Sequence, residues 1–352
     1  MSDETLEIYI RDYIAAQNSP HVIFNWHGGE AMICGIEFFK KAISLQKKYG
    51  EGFQIINTIQ TNGLLITHKW CEFFSQNNFL VGISLDGPKD LHDHYRRTCN
   101  GESAYMQTIK GLNLLQRHNV DFNVLCTVNR HNASHGIRIY EYFKSLGVRF
   151  MQFIPIVERI KKDGSLALPT DDDGEIAPWC VDSLEWGRFM CDIFFHWVKK
   201  DVGERFVSFI DGTLAGYVGV DPGNCRNSSS CGHAMSLEYN GDVYSCDHYV
   251  FPEYLLGNIH HTHMRELSSS ALQMRFAEMK LKSLPIECIE CPYLKLCYGE
   301  CPKTRIHTSA SGGKISHLCE GYKLFFQSTA REFQFMASEL KAGRDVSNVM
   351  FI

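Results

Sequence analysis

Eight cysteines toward the C-terminal end of the chain have a spacing that predicts metal chemistry. They are Cys225, Cys231, Cys246, Cys288, Cys291, Cys297, Cys301 and Cys319. The segment Cys288-x2-Cys291-x5-Cys297-x3-Cys301 places four thiols in a short stretch, so a metal centre can be enclosed at little cost in chain closure. Four-thiolate ligation is typical of [4Fe-4S] clusters, and eight ligands would suffice for two of them.

A pair of four-cysteine zinc sites is the alternative, because Cys-x2-Cys is also an element of zinc-binding motifs. Disulfide frameworks explain the spacing less readily. The other cysteines are scattered through patterned segments, and we expect them to be buried thiols without a chemical role. They are Cys34, Cys71, Cys99, Cys126, Cys180 and Cys191.

Composition narrows the class of protein and its partners. The chain has 352 residues, 44% of them hydrophobic and 21% charged, and a net charge of −5, as expected for one large or two moderate globular domains. It contains no long basic run, so neither nucleic acid nor a membrane surface is predicted as a partner. The N-terminal residues do not resemble a signal peptide, and no apolar run is long enough to span a bilayer. We therefore expect a cytoplasmic protein whose thiols serve metal or catalytic chemistry.

These thiols must be positioned by a regular scaffold, and an alternation of strand and helix patterns predicts one. Helices are expected over 3–17, 35–49, 67–77, 103–118 and 133–146, and strands over 21–26, 53–59, 79–85, 121–128 and 150–156. Such a βα series forms a parallel sheet. A connecting loop is predicted over 157–181, a helix over 182–200 and a last helix over 320–342.

Short polar segments follow three of the strands. They are His27-Gly28-Gly29-Glu30, Gln60-Thr61-Asn62-Gly63 and Ser84-Leu85-Asp86-Gly87-Pro88. Since α/β folds place their ligands at the carboxyl ends of the strands, the ligand pocket is predicted there.

The cysteine order resembles a known signature. Cys231-x9-Gly241-x4-Cys246, the four-cysteine run and Cys319 resemble the seven-cysteine pattern of the SPASM domain of radical SAM enzymes. With the extra Cys225, the three polar segments and Gln152-Phe153-Ile154-Pro155, the chain resembles the anaerobic sulfatase-maturating enzymes over nearly its whole length. The resemblance implies an α/β fold, a partial (β/α)6 radical SAM barrel lacking its first strand, followed by an α+β SPASM domain.

The implied boundaries are 1–156 for the partial barrel, 157–224 for a linker and helical segment, 225–320 for the SPASM domain and 321–352 for the C-terminal helix and tail. Because the first strand of such a barrel is not among these residues, strand 21–26 is expected to have an unpaired edge unless another element covers it.

The resemblance also assigns the cysteines to two auxiliary [4Fe-4S] clusters. One would be held by Cys225, Cys231, Cys246 and Cys301, and the other by Cys288, Cys291, Cys297 and Cys319. In the family, the acid at Asp247 accepts the proton when a Cys or Ser of a sulfatase is oxidised to formylglycine. A neighbouring thiolate cluster disfavours a second anion and so makes this carboxylate a better base. The plain alternative is a turn aspartate after Asn240-Gly241-Asp242.

Contacts to S-adenosylmethionine (SAM) are implied in the same way. They would come from Gly28, Gly29, Glu30, Ser84, Asp86, Arg96 and Val157. The two glycines let the backbone approach a ligand, although a simple turn is the alternative. Ser84 and Asp86 offer a hydroxyl and a carboxylate for ribose, and Arg96 offers a partner for the SAM carboxylate.

The chain departs from the family in one major respect. It contains no Cys-x3-Cys-x2-Cys, the motif that holds the SAM-cleaving cluster. We expect that the motif has been lost through truncation or left out by a late start codon. The chain as given is therefore expected to be unable to cleave SAM. His27 and Ala31 also replace the family's usual Gln and Pro. A noncatalytic iron-sulfur remnant or regulator and another SPASM peptide-modifying enzyme remain as alternatives. The expected partners are an unfolded or nascent sulfatase peptide and a flavodoxin-type electron donor.

Overall fold

The computed structural model describes residues 1–171 and 173–352. The helices are α1 (Asp3–Ala16), α2 (Gly35–Tyr49), α3 (His68–Gln76), α4 (Lys89–Tyr95), α5 (Tyr105–Arg117), α6 (Gly136–Ser145), α7 (Ser183–Trp197), α8 (Ser208–Val218), α9 (Met264–Ser268), α10 (Ala271–Lys282), α11 (Ile286–Ile289), α12 (Leu294–Cys297) and α13 (Cys319–Lys341). The strands are β1 (His21–Trp26), β2 (Gln54–Thr61), β3 (Phe79–Ser84), β4 (Phe122–Val128), β5 (Phe150–Pro155), β6 (Arg159–Ile160), β7 (Glu175–Ile176), β8 (Phe206–Val207), β9 (Ser236–Leu237), β10 (Asp242–Tyr244), β11 (Leu255–Asn258), β12 (Arg305–Thr308) and β13 (Lys314–Ser316).

The predicted βα series is confirmed. Six strands form a sheet in the order β1-β2-β3-β4-β5-β8, and β1 pairs with β2 in parallel. Strand β1 and helix α2 have the predicted bounds, and the predicted helices and strands before residue 157 each end within a few residues of the observed ends. Among the described residues, no helix has both the length and the apolar character needed to cross a membrane.

The chain divides into two compact units, each built from three segments. Unit one comprises Met1–Ser84, Met106–Phe122 and Gly232–Glu278, and unit two comprises Leu85–Tyr105, Asn123–Cys231 and Met279–Ile352. The four segments expected from the resemblance, and the three boundaries between them, stay a prediction.

In unit one, helix α1 covers part of strand β1. Its apolar face packs into a core with Val22 and Phe24, which are fully buried. The Pro20 carbonyl accepts from the Gln54 amide, so alternate carbonyls of β1 face β2, and the Ile23 carbonyl points to the opposite side. The Tyr13 hydroxyl donates to that Ile23 carbonyl at 3.0 Å. Helix α1 therefore supplies a hydrogen-bond donor to one backbone carbonyl on the edge of β1 that was expected to be unpaired.

The predicted loop 157–181 contains a small antiparallel hairpin of β6 and β7. The Arg159 guanidinium holds it by donating to the backbone carbonyls of Leu168 at 2.9 Å and Asp171 at 2.8 Å. Asp172, which belongs to the acidic run of this loop, lies outside the described residues. The loop prediction thus missed two strands of two residues each, too short to give a periodic pattern.

Candidate functional site

In unit one, the segment after β1 is fastened to the end of β2. Gly28 and Gly29 have φ values of +93° and +55°, a region that glycine enters freely. The Glu30 carboxylate accepts hydrogen bonds from the Thr61 hydroxyl and the Asn62 amide, both at 2.9 Å. A β-carbon at either glycine would meet no described atom within 4 Å, so this anchored backbone has open space beside it.

Ser84 ends β3 in the same unit. Its hydroxyl accepts a hydrogen bond from the side-chain amide (Nε2) of Gln60 at 3.1 Å, so Gln60 of β2 fixes the position of Ser84. Three of the predicted SAM contacts, Gly28, Gly29 and Glu30, thus lie on one loop, and Ser84 is tied to the strand to which that loop is anchored.

In unit two, Asp86 and Arg96 form an ion pair. The Arg96 Nε lies 2.5 Å from one oxygen of Asp86, and the other oxygen accepts from the Thr127 amide at 2.8 Å and the Thr127 hydroxyl at 2.9 Å. Asp86 is 2% exposed, whereas the Arg96 side chain is 26% exposed. The geometry therefore presents Arg96 to a ligand and uses Asp86 to hold it. Val157, the remaining predicted contact, is buried just beyond β5.

His92 lies behind this pair. Its Nδ1 accepts from the Asp86 amide at 3.2 Å, while its Nε2 is buried with no hydrogen-bond partner. The pKa of His92 is lowered to about 4, mainly by burial; the Asp86 charge opposes this shift and the Arg96 charge adds to it. His92 is therefore neutral near pH 7.

A cavity of about 60 Å³ in unit two is lined by four of the predicted metal ligands, Cys288, Cys291, Cys297 and Cys319. Cys288 lies in α11 and Cys297 ends α12, each helix being about one turn long. Cys291 lies between the two helices, and Cys319 is the first residue of α13. The family resemblance grouped these four residues, and in the structure they line one cavity. Among the described residues, no three His, Cys, Asp or Glu side chains are arranged to hold a single metal ion.

Burial raises the pKa values of Cys288, Cys297 and Cys319 and so keeps these three thiols protonated when no metal is bound. It raises the pKa of Cys297 to about 12 and that of Cys319 to about 11. The Gly299 amide donates to the Cys297 sulfur and opposes the shift. Metal binding must therefore release protons, and backbone amides are in place to stabilise the resulting thiolate.

Arg305 organises the loop between Cys297 and Cys301. The side chain is buried and donates to the carbonyls of Tyr298 at 2.9 Å, Gly299 at 2.9 Å and Lys280 at 2.7 Å. Burial lowers the pKa of this guanidinium, which is nevertheless far too basic to lose its proton at neutral pH. A permanent positive charge therefore lies beside the four-cysteine cavity.

Lys280 brings a second buried cation. It is 0% exposed, and its ammonium donates to the carbonyls of Cys225 at 2.5 Å and Arg226 at 2.8 Å. Burial lowers its pKa, whereas nearby Cys231 raises it. Glu300 is 1% exposed, and its Oε1 lies 3.1 Å from the Nε of Arg226. The two groups form an ion pair, but their geometry is not that of a hydrogen bond. Sequence reasoning missed these charges because nothing in a single sequence separates a buried lysine from a solvated one.

Asp247 lies next to Cys246 in unit one. The Cys246 thiol donates to the Asp247 carboxylate at 3.1 Å, and a 3-10 turn begins at Asp247. The Asp247 side chain is 45% exposed. A carboxylate that touches a candidate ligand sulfur and still reaches solvent is suited to accepting a proton from a bound molecule.

Cys225, Cys231 and Cys301 belong to unit two, and Cys246 belongs to unit one. Their assignment to a common cluster stays a prediction. Of the cysteines expected to be buried, Cys71, Cys126 and Cys180 are buried and Cys191 is partly buried, but Cys34 and Cys99 are exposed. The burial prediction was wrong for those two: Cys34 ends a short 3-10 helix and Cys99 lies in a turn.

The parallel α/β sheet and the cysteine-lined cavity define a class, the radical SAM-type proteins with a cysteine-rich iron-sulfur domain. Residues 225–292 match the SPASM family, described as an iron-sulfur cluster-binding domain. A serine-type anaerobic sulfatase-maturating enzyme of Bacteroides thetaiotaomicron is 46% identical over 99% of this chain and 86% of its own length. A cysteine-type enzyme of Clostridium novyi is 32% identical over 90% of this chain and 83% of its own. The chain belongs to the family of anaerobic sulfatase-maturating enzymes.

Solved structures agree with this membership. Native anSMEcpe with bound AdoMet and Cp18Cys peptide superposes with a TM-score of 0.86 at 30% identity, covering 97% of this chain and 92% of that one. Streptococcus suis SuiB bound to S-adenosylmethionine has a TM-score of 0.58 at 12% identity, with 90% and 69% covered, and shares the fold.

Proposed function

We propose that this chain is built to oxidise a serine side chain of a sulfatase to formylglycine with SAM and auxiliary iron-sulfur clusters, and that SAM cleavage needs a further cluster site that these 352 residues do not contain. The observation that carries the proposal is its 46% identity, over 99% of its length, to a serine-type enzyme, against 32% to a cysteine-type one. This family membership does not favour a noncatalytic iron-sulfur remnant or a different SPASM activity.

The residues present fit anionic clusters. Four thiols line one cavity, and Lys280 and Arg305 place buried positive charge next to cysteine-bearing loops. We assign Cys288, Cys291, Cys297 and Cys319 to one cluster and Cys225, Cys231, Cys246 and Cys301 to the other. When bound, the clusters supply sites that accept an electron.

The SAM-cleaving cluster is a different case. The 352 residues contain no Cys-x3-Cys-x2-Cys, so they offer no ligand set for it. For SAM itself, we assign the backbone of Gly28 and Gly29, the loop anchor Glu30, the Ser84 hydroxyl and the Arg96 guanidinium, with Asp86 holding Arg96 in place. Val157 contributes apolar contact.

Asp247 is assigned as the proton acceptor. Converting a serine CH2OH group to an aldehyde removes two hydrogens in total, and the second leaves as a proton and an electron. When Cys246 ligates iron, it no longer donates its proton to Asp247. The carboxylate is then available to accept the proton from the substrate hydroxyl.

The substrate is a peptide segment, and we infer that it comes from an unfolded or nascent sulfatase. Such a chain, like oxygen-sensitive clusters, is found in the reducing cytoplasm, where thiols remain free for metal binding. A flavodoxin-type donor would supply the reducing electron.

The test uses the complete open reading frame in which these residues lie, purified and reconstituted without oxygen. Paired sulfatase peptides that differ only in Ser or Cys at the target position are incubated with SAM and reductant. Mass spectrometry should show loss of two hydrogens from the Ser peptide. Iron analysis should give about eight irons for the two auxiliary clusters and about four more for the SAM-cleaving cluster. Exclusive conversion of the Cys peptide would overturn the serine assignment.

Asp247→Asn should abolish turnover at unchanged iron content, while Glu253→Gln, an exposed acid in the same unit, should keep full turnover. Full activity in Asp247→Asn would remove Asp247 from the mechanism.

A further inference from the structure

Four charged side chains in unit two, three of them buried and Arg226 partly exposed, form a group that the proposed reaction does not use and that we call the buried charge group. The group consists of Arg226, Lys280, Glu300 and Arg305. Lys280, Glu300 and Arg305 are 0%, 1% and 7% exposed. Charged side chains are rarely buried to this extent without a partner, because desolvation costs several kcal/mol per ion.

The charges in the group do not balance. The Glu300 carboxylate pairs with Arg226 at 3.1 Å. Lys280 donates to the carbonyls of Cys225 and Arg226, and Arg305 donates to three backbone carbonyls near the cavity, to the Glu300 carbonyl at 3.2 Å and to the Ser283 hydroxyl at 3.0 Å. Three cations against one carboxylate leave an excess of two positive charges.

The excess lies beside the candidate cluster ligands. Arg305 donates hydrogen bonds to the carbonyls of Tyr298 and Gly299, the two residues that follow Cys297. Gly299 also lines the four-cysteine cavity. Lys280 bonds the carbonyl of Cys225 itself. Neutral side chains could donate to the same carbonyls, so hydrogen bonding alone does not require charge at these positions.

We propose that Lys280 and Arg305, opposed by Glu300, set the reduction potentials of the auxiliary clusters. This inference rests on the proposed function, since it requires clusters on these cysteines. A four-thiolate [4Fe-4S] cluster gains one negative charge when it takes an electron. A buried cation stabilises that reduced state, and a buried carboxylate destabilises it, so the two kinds of residue move the potential in opposite directions.

The consequence for the reaction is directional. The electron that leaves the substrate carbon must be accepted as the proton leaves, and a cluster with a raised potential accepts it more readily. Lys280 and Arg305 are thus positioning charges that favour electron transfer away from the substrate, and Glu300 limits the effect.

The test is a redox titration, followed by electron paramagnetic resonance, of the anaerobically reconstituted full chain. Lys280→Met should reduce the equilibrium constant for reduction of at least one cluster about tenfold, which for a one-electron couple is about 59 mV toward lower potential. Glu300→Gln should shift the potential upward. Lys199→Met, which removes an exposed lysine elsewhere in unit two, should leave both potentials unchanged.

Potentials that do not move, or that move in the same direction in Lys280→Met and Glu300→Gln, would overturn the inference. If Lys280→Met does not load iron, Lys280→Arg should load and keep the wild-type potential, and the upward shift of Glu300→Gln decides the question on its own. A wild-type chain that binds no iron would instead refute the proposed function.

Discussion

Both oxygens of the Asp86 carboxylate already accept hydrogen bonds from other residues of the protein. Its two oxygens accept from Arg96 and from the amide and hydroxyl of Thr127, and the side chain is almost fully buried. A role in direct ribose binding would require giving up one of these contacts. Holding the partly exposed Arg96 at the strand end requires none, and this geometry favours Asp86 as a positioning residue.

Asp86→Asn should therefore destabilise the protein. An amide cannot replace the ion pair with Arg96 or accept at both oxygens, and removing one partner of a buried charge pair costs about 3 kcal/mol. Urea unfolding measures the change. The control is Asp90→Asn, which removes an exposed pair with Arg138 and should cost at most about 1 kcal/mol. Equal losses in the two variants would contradict the burial argument.

His92 should make stability depend on pH. Its pKa is lowered to about 4 by burial, below the ordinary value of 6.5 reached on unfolding. The unfolded chain then binds more protons between these values, so stability is complete above pH 6.5 and falls as the pH decreases toward 4. From pH 7 to pH 5.5 the unfolding free energy should drop by about 1 kcal/mol from this residue. His92→Asn should remove that part of the pH dependence, and an identical slope in the variant would exclude His92 as its source.

At the scale of elements, helices α7 and α13 approach closely in unit two. The Gly321 amide donates to the Ser183 hydroxyl at 2.9 Å, and a β-carbon on Gly321 would lie 1.9 Å from the Ser183 carbonyl oxygen. This contact fixes the first turn of α13, which begins at Cys319. The crossing of two helices thus determines where one cysteine of the cavity lies.

Gly321→Ala should separate the two helices at this point. The overpacking should cost about 1–3 kcal/mol in urea unfolding, although alanine favours the helical state. Displacement of Cys319 should also lower the iron content by about four atoms per chain. Gln327→Ala, on the exposed face of the same helix, serves as the control and should retain all iron. Full iron content in Gly321→Ala would show that the crossing does not position Cys319.

The sequence predicted the elements well where packing imposes a period. Strand β1 is a short apolar run whose side chains are alternately buried and exposed, and the buried residues of helix α2 recur at helical spacing. The bounds of both elements came out as predicted. Hairpin β6–β7 was missed because two-residue strands have no period. Spacing alone grouped Cys288, Cys291 and Cys297 with Cys301, and only the family resemblance grouped them with Cys319, which lines the cavity. The sequence carries no information about Lys280, whose burial depends on residues far away in the chain. The hydrogen bonds from Thr127 to the Asp86 carboxylate could not be predicted for the same reason.

At the scale of the whole molecule, the buried charge group couples folding to metal loading. In the chain without iron, Lys280 is a buried cation that no anionic cluster neutralises, and its desolvation opposes folding. Thiols with raised pKa values add no compensating negative charge. Iron loading deprotonates the cysteines and supplies that charge, so folding and cluster binding should stabilise each other.

Lys280→Met should therefore have opposite effects in the two states. In iron-free protein it should leave the free energy of unfolding unchanged or raise it by about 1–3 kcal/mol, because an apolar side chain of similar length replaces an uncompensated buried charge. In the loaded protein the same substitution should lower the melting temperature, since the cluster loses a neighbouring cation. Anaerobic circular dichroism of both states, with Lys199→Met as the matched control, measures the difference. A similar loss in both states would mean that Lys280 acts only through its hydrogen bonds to the carbonyls of Cys225 and Arg226, and that its charge contributes nothing to cluster binding.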